Sequence, residues 1–343
     1  MRKLLNVLYV TLPDAFLSLD GENVVVRNEN ETLLRVPIHN LEGIVTFGYT
    51  GASPALMRKC AECGVALTFC SPSGRFLADV RGEVQGNVLL RRTQYRVADC
   101  SVAGLAIAKN MLIGKLHNGR WVLERATRDY AMRLDVERIK HMATLIAESI
   151  NKIETAKSVE SLIGIEGEAA SIYFAVFDEL ILQNKSDFQF NDRNRRPPTD
   201  NVNAMLSFVY TLLSHDCAAA LSAVGLDPFV GYLHKDRPGR RSLALDLMEE
   251  LRAPLADRFV LTMINNRQVS KSDFDQMENG AVLMKDDTRK AILKAWQERK
   301  QEQITHPFLR EKIQWGLVCH VQALLLARHL RGDLDEYPPF LWK

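Results

Sequence analysis

The 343-residue chain lacks an excess of charge of either sign: 44 Lys and Arg stand against 42 Asp and Glu, a formal net charge of +2. That excludes a protein that coats polyanions over its whole surface, so any nucleic-acid partner must meet a local positive field. Also lacking is an uninterrupted apolar run of the ~18 residues that a membrane-spanning helix requires. The opening MRKLLNVLYVTLPDAF runs into Pro13 and Asp14 with no small-residue cleavage site, so a first strand is expected there and not a secretion signal. Cysteines are few and scattered: Cys60, Cys63, Cys70, Cys100, Cys217 and Cys319. Without small-scaffold spacing they predict reduced thiols in a soluble, cytoplasmic protein with no membrane partner. Cys60 and Cys63 have no second pair downstream and read as core or helix-end thiols. Internal repeats and low-complexity tracts are missing as well.

What is present is an ordinary globular composition, 47% hydrophobic and 25% charged, in a chain long enough to predict two domains. Residues 1 to about 80 alternate short Val-, Leu- and Phe-rich runs with turn chemistry such as Asp20-Gly21, which predicts strands. One helix-like insert, SPALMRKCAEC, interrupts them, and Ser71-Pro72-Ser73-Gly74 reads as a hairpin loop. From about residue 87 the apolar period becomes helical, over 100–127, 135–154, 158–184, 201–225, 242–265, 286–302 and 313–330. FDQMENGAVLMK, with Asn279-Gly280, reads as a hairpin between helices. The expected fold class is α+β. A small N-terminal, mostly antiparallel β domain (1–84) is followed by a larger all-helical C-terminal domain (85–343), with the boundary near Arg81–Gly86.

Chemistry concentrates in GYLHKDRPGRRSLALDLMEE, residues 231–250. Ser242 is the expected N-cap of a helix that Pro254 bounds at its far end. Its apolar residues surround nearly the whole axis, while Asp246, Glu249 and Glu250 form one stripe. Either that stripe is the helix's one solvated face, partnered by Arg252 and Arg258, or buried carboxylates are held there beside a cation. Glu166 shares a face with Ala169, Ala170, Tyr173 and Phe177, and Glu168 points away from it. Gly164 and Gly167 flank Glu166, and because glycine weakens a helix, close approach of a backbone or ligand is expected there. His234 follows the strand-like run FVGYL, where a lone histidine is more often structural than a ligand. Lys235, Arg237, Arg240 and Arg241 crowd behind it, a cation patch suited to a phosphate-bearing substrate such as DNA. One imidazole with two or more carboxylates favours Mn²⁺ or Mg²⁺ over structural zinc. The basic runs at Arg193–Arg196 and Lys290–Lys300 carry no signal beyond surface charge.

In order and spacing, GIEGEAASIYF, NAMLSFVYTLL and GLDPFVGYLHKDRPGRRSLALDLMEELRAPLADRFV resemble the CRISPR-associated adaptation integrases, the "Cas-one" family, closest to members from type I systems. The resemblance spans essentially the full chain. It implies a metal-dependent DNA endonuclease and integrase that inserts spacer DNA into a CRISPR array by transesterification. The family's metal ligands fall on Glu166, His234 and Glu249, and its additional catalytic acid on Asp246. Helix geometry alone does not choose between Glu249 and Glu250. Asn203 and Tyr210, in the matching NAMLSFVY segment, would line the site. The implied partners are double-stranded DNA (spacer precursor and CRISPR repeat), a second copy docked through the β domain, and a small second adaptation protein, "Cas-two". Two other functions compete: a non-catalytic DNA-binding scaffold, and a metal hydrolase of small phosphoesters.

Overall fold

The computed structural model describes residues 6–12, 14–28, 31–71, 76–80 and 88–343. The expected loop at Pro72–Gly74 and the boundary segment 81–86 lie outside them. The chain divides into two compact units, 1–86 with 289–301, and 87–288 with 302–343.

In the first unit β1 (Asn6–Val10) occupies the position expected of a first strand. A three-stranded antiparallel sheet follows, β2 (Ala15–Asp20), β3 (Asn23–Asn28) and β4 (Glu31–Pro37), its first turn closed by Gly21 at φ +58°. The second sheet has the order β1-β5-β6-β7, with β5 (Leu41–Phe47), β6 (Ala66–Cys70) and β7 (Phe76–Val80). Here β5 runs parallel to both β1 and β6, while β6 and β7 are antiparallel. The parallel pair β5–β6 requires a crossover, which α1 (Pro54–Cys63) supplies. Ser53 caps α1 by accepting from the Leu56 N–H, Pro54 starts it, and Gly64 at φ +68° stops it. Leu17, Val26, Ile38, Ile44, Leu56, Cys60 and Leu67 meet in one core between the sheets and α1. Burial raises the Cys60 thiol to about 12, consistent with an inert core thiol.

The second unit is helical: α2 (Val88–Asp99), α3 (Ser101–Asp129), α4 (Val136–Thr155), α5 (Val159–Phe174), α6 (Asn201–Ala223), α7 (Ser242–Leu251) and α8 (Arg258–Asn265). The expected hairpin is β8 (Phe274–Gln276) with β9 (Val282–Met284). After α9 (Asp286–Gln301) comes a second ribbon, β10 (Gln303–Thr305) with β11 (Lys312–Gln314), and then α10 (Trp315–Leu330). By composition α6 could cross a membrane, but 61% of its most apolar stretch is buried, as in a core helix.

Several expectations change. The periodicity leaves out α2 because only Leu90 and Gln94 are buried on it. Gln94 anchors it through polar bonds, donating to the Asp227 carbonyl at 2.8 Å and accepting from the Asp227 N–H at 2.9 Å. The helix expected over 158–184 ends at Phe174, where Tyr173, Phe174, Phe177 and Phe190 gather with ring centroids 5.0–5.8 Å apart. Arg241, not Ser242, is the N-cap of α7. Pro254 does not end the helix but sits in a π-helical turn, Arg252–Asp257, that joins α7 to α8. The wider π ladder accommodates the missing N–H. Finally, 289–301 groups with the first unit, against the expected 85–343 domain. Apolar periodicity identifies a buried helix face, here Ile292, Leu293 and Trp296, but not the unit that buries it.

Candidate active site

α7 packs against α3 and α6, and its three acids are all buried: Asp246 0%, Glu249 3% and Glu250 0% exposed. The solvated-face reading is therefore overturned. A buried carboxylate must find donors or cations, and each of the three finds different ones.

Asp246 organises the loop before α7. Its Oδ2 accepts from the N–H groups of Tyr232 (2.6 Å) and Leu233 (2.9 Å), and its Oδ1 from the N–H of His234 (2.9 Å). His234 Nδ1 lies 2.6 Å from the same Oδ1. The expected strand-like run is thus a loop wrapped around a carboxylate. Gly231 is required there, because a Cβ would come within 2.8 Å of Ser242 Cβ and 2.9 Å of Asp246 Oδ2. With Nδ1 donating to Asp246, the Nε2 lone pair of His234 is left for a cation or a proton.

Glu249 faces α3 and α5. Lys115 of α3 makes an ion pair with Glu166 of α5 and lies 2.7 Å from Glu249 Oε2. The second contact is off hydrogen-bond alignment, so Oε2 is buried next to a cation but accepts no hydrogen bond. Arg252 Nη2 holds Oε1 at 3.0 Å. Burial pushes the Glu249 carboxyl upward, but the charges of Arg252, Lys115 and His234 outweigh it and bring the pKa down to about 2. Glu249 is therefore ionised at any working pH.

Glu250 turns the other way. Its Oε1 accepts from the Tyr337 hydroxyl (2.6 Å), and its Oε2 from the Phe340 N–H (2.6 Å) and the Gln322 side chain (3.0 Å). Both oxygens are committed to the C-terminal segment and to α10. Of the two adjacent glutamates, Glu249 alone shares Lys115 with Glu166.

A cavity of about 280 Å³ adjoins this pair, lined in part by Lys115, Glu166, Tyr173, Arg193, Tyr210 and Arg252. Arg193 and Arg252 stack on the Tyr210 ring at 5.3 and 4.8 Å. The hydroxyls of Tyr210 and Tyr173 donate to Asp257 at 2.5 and 3.1 Å. Burial raises Asp257 to about 6, against the pull of those hydroxyls and of Arg252 and Arg193. Tyr210 thus lines the cavity. Asn203 does not: it is fully buried and ties down the 192–200 loop, accepting from Arg193 Nη1 (2.6 Å) and the Asn194 N–H (3.1 Å). Arg193, set aside as surface charge, belongs to the site. Lys115, within the apolar run of α3, is not legible as a site residue, since a lone lysine on a long helix carries no sequence signal of a distant carboxylate pair.

As expected, Ala169, Ala170 and Tyr173 line the same cavity as Glu166, and Glu168 pairs with Lys152 on the opposite side. A Cβ on Gly164 or Gly167 would have no atom of this chain within 4 Å, so no backbone of this chain approaches them closely. Of the cation patch, Arg237 is exposed and Lys235 pairs with Glu160 at 2.7 Å. Arg240 and Arg241 turn inward, with Arg240 Nε on Ser242 Oγ (3.2 Å) and Arg241 Nη1 3.1 Å from His215 Nδ1.

The donor types suit a hard divalent cation. Two carboxylates already share one ammonium, a buried oxygen lacks a hydrogen bond, and one imidazole has its Nδ1 fixed. Among the described residues, however, no three His, Cys, Asp or Glu side chains are gathered closely enough to share one ion. The Glu166–Glu249 pair is closed on Lys115, and Glu166, His234 and Glu249 are not assembled as one ligand cluster.

A family model described as CRISPR associated protein Cas1 matches residues 8–298. A CRISPR-associated endonuclease Cas1 of Chlorobaculum tepidum is 50% identical over 343 residues, covering 100% of both chains. Among solved structures, a casposase bound to its integration product superposes with a TM-score of 0.84 at 22% identity, covering 99% of this chain and 95% of that one. A Cas6-RT-Cas1–Cas2 complex gives a TM-score of 0.84 at 22% identity, covering 100% of this chain and 36% of that one. At such identity these two likenesses concern the fold.

Proposed function

This chain belongs to the CRISPR-associated Cas1 family, and from that premise we propose that it is a divalent-metal-dependent DNA endonuclease and integrase that inserts spacer DNA into a CRISPR array. The reaction is a transesterification. A DNA 3′-oxygen forms a new P–O bond at a repeat phosphodiester, the old P–O bond breaks, and the departing 3′-oxygen takes up a proton. The carrying observation is the Lys115 bridge, which joins carboxylates 83 positions apart in the chain, Glu166 and Glu249, beside a cavity.

Glu166, Glu249 and His234 would hold Mn²⁺ or Mg²⁺. Such an ion, when bound, neutralises phosphoryl oxygens and acidifies the attacking hydroxyl. The chain's own residues do the rest. Arg252 keeps Glu249 ionised, and Asp246 fixes the His234 ring through Nδ1. Lys115 supplies positive charge between the carboxylates and would yield that place to an entering cation. Lys235 and Arg237 would meet the DNA backbone. The Cas1–Cas2 complex and the product-bound casposase named above support Cas2 and DNA as partners; we add to these a homodimer on double-stranded DNA in the cytoplasm.

The test is a gel-based integration assay with a short duplex, repeat DNA and Mn²⁺ or Mg²⁺. Glu166→Ala, His234→Ala and Glu249→Ala should each abolish joining while the variants still fold. DNA binding that is equal in EDTA and in metal, with no cutting or joining by the unaltered protein, would favour the non-catalytic scaffold instead.

A further inference from the structure

Asp257 stands in the π turn after α7, only 1% exposed, and lines the cavity beside Glu166 and Lys115. Each of its oxygens takes one phenol: Tyr210 of α6 donates to Oδ1 at 2.5 Å, and Tyr173 of α5 to Oδ2 at 3.1 Å. Both tyrosines line the same cavity. Two phenylalanines around an apolar residue would fill this volume without burying a carboxylate, and such replacements of buried ionic groups are commonly neutral or stabilising. A carboxylate kept here, on the wall of the site, points to chemistry.

Strand joining requires the attacking 3′-hydroxyl to lose a proton, and the other acids nearby are poor receivers. Despite burial, the charges of Arg252, Lys115 and His234 hold Glu249 down at about 2. Glu166 is paired with Lys115. Asp246 is saturated by three backbone N–H groups and His234, and Glu250 by Tyr337, Phe340 and Gln322. Asp192, at the mouth, is exposed and accepts from the Arg193 N–H at 2.7 Å. The charged groups facing Asp257 and its phenols are Lys115 of α3, Arg193 of the 192–200 loop, Arg252 of its own turn and Arg258 of α8. Burial raises Asp257 to about 6, and its two phenols, Arg252 and Arg193 limit the rise. A base in that range is ionised at neutral pH and still basic enough to accept a proton.

We propose that Tyr210 and Asp257 form a proton relay that receives the proton of the attacking 3′-hydroxyl. That proton passes to the Tyr210 oxygen while Tyr210 hands its own to Asp257 Oδ1, so no phenolate forms. The freed electron pair makes the new P–O bond. The old P–O bond breaks, its electrons leave with the departing 3′-oxygen, and water protonates that oxygen. Asp257 then returns its proton to solvent, and both residues end as they began. Tyr173 is a positioning residue, holding Oδ2 so that Oδ1 faces Tyr210. The inference rests on the DNA-joining reading above.

The experiment follows joining by the full-length protein from about pH 5 to about pH 9, for wild type and three variants. Wild-type joining should rise with pH through about 6, as Asp257 ionises. Tyr173→Phe removes a phenol that holds the carboxyl's pKa down, so its rise should move to higher pH. Tyr210→Phe should join about 100-fold more slowly at neutral pH and approach wild type toward the alkaline end, where hydroxide takes the proton instead. Asp257→Asn should join as slowly and lose the rise; should it not fold, the two phenylalanine variants decide alone. Both of those should bind DNA and, by calorimetric titration, Mn²⁺ as wild type does, which separates the relay from the building of the site. A Tyr210→Phe rate near that of wild type, a loss that is constant across pH, an unmoved rise in Tyr173→Phe, or weakened Mn²⁺ binding by Tyr210→Phe would each overturn the proposal. If wild type does not join DNA, the function reading falls as well; if wild type joins and only the variants depart from these outcomes, this inference falls alone.

Discussion

Three acids on one buried helix have three fates, and at the residue scale the donors around each one separate them. Asp246 is saturated by loop N–H groups and His234, Glu250 by the C-terminal segment, and Glu249 is left between cations with one oxygen lacking a hydrogen bond. Removing the ammonium from the Glu166–Glu249 pair should leave two carboxylates calling for another cation. Lys115→Met is therefore expected to be less stable than wild type in EDTA and to bind Mn²⁺ at least ~10-fold more tightly, read by calorimetric titration. Unchanged Mn²⁺ affinity would remove Lys115 from the ion's place. For Glu250, burial raises the carboxyl from its ordinary 4.5 to about 8 despite the opposing bonds from Tyr337, Phe340 and Gln322. The native state thus keeps a proton that the unfolded chain releases. The stability this provides is complete below about pH 4.5 and drains away as pH rises to about 8. Glu250→Gln should flatten that decline in melting temperature across the window, and parallel wild-type and variant curves would contradict the assignment.

At the scale of elements, the site depends on how closely α3 approaches α7. A Cβ on Gly114 would lie 2.9 Å from Glu250 Cγ and 3.2 Å from Pro339 Cβ, with the Pro339 ring as unyielding as backbone. Gly114→Ala should cost about 1–3 kcal/mol in urea unfolding and lower joining activity by shifting α7. Gly164→Ala, in open space on α5, should instead stabilise by ~0.5–1 kcal/mol. The pair isolates close packing from helix propensity, and equal effects would refute it. Much at this scale was legible in the sequence: the helices at 101–129, 136–155 and 201–223 and the 274–284 hairpin follow from periodicity and Asn279-Gly280. The continuation of α7 through Pro254 was not, because a π turn is a tertiary accommodation with no pattern of its own.

For the whole molecule, the expected dimer surface is the N-terminal unit. Phe16 and Leu34 on its three-stranded sheet stay 37% and 42% exposed. Phe16→Asp with Leu34→Asp should therefore convert a dimer to a monomer in sedimentation without unfolding the chain. A dimer of unchanged affinity would put the association surface elsewhere.

By itself the sequence determined the order of a β part and a helical part and the buried faces, and it singled out Glu166, His234 and the stripe of Asp246, Glu249 and Glu250 as candidates. Each of these follows from local periodicity or from a contiguous motif. Only the tertiary structure decided that Glu249 and not Glu250 meets Glu166, that Lys115 stands between them, and that Arg193 reaches Tyr210. It also decided that residues 289–301 join the first unit. The reason is physical: Glu249 and Glu250 are adjacent on one helix and differ only in which neighbour covers them. That neighbour comes from α3, α5 or the C-terminal segment, whose packing depends on contacts more than 70 residues away along the chain.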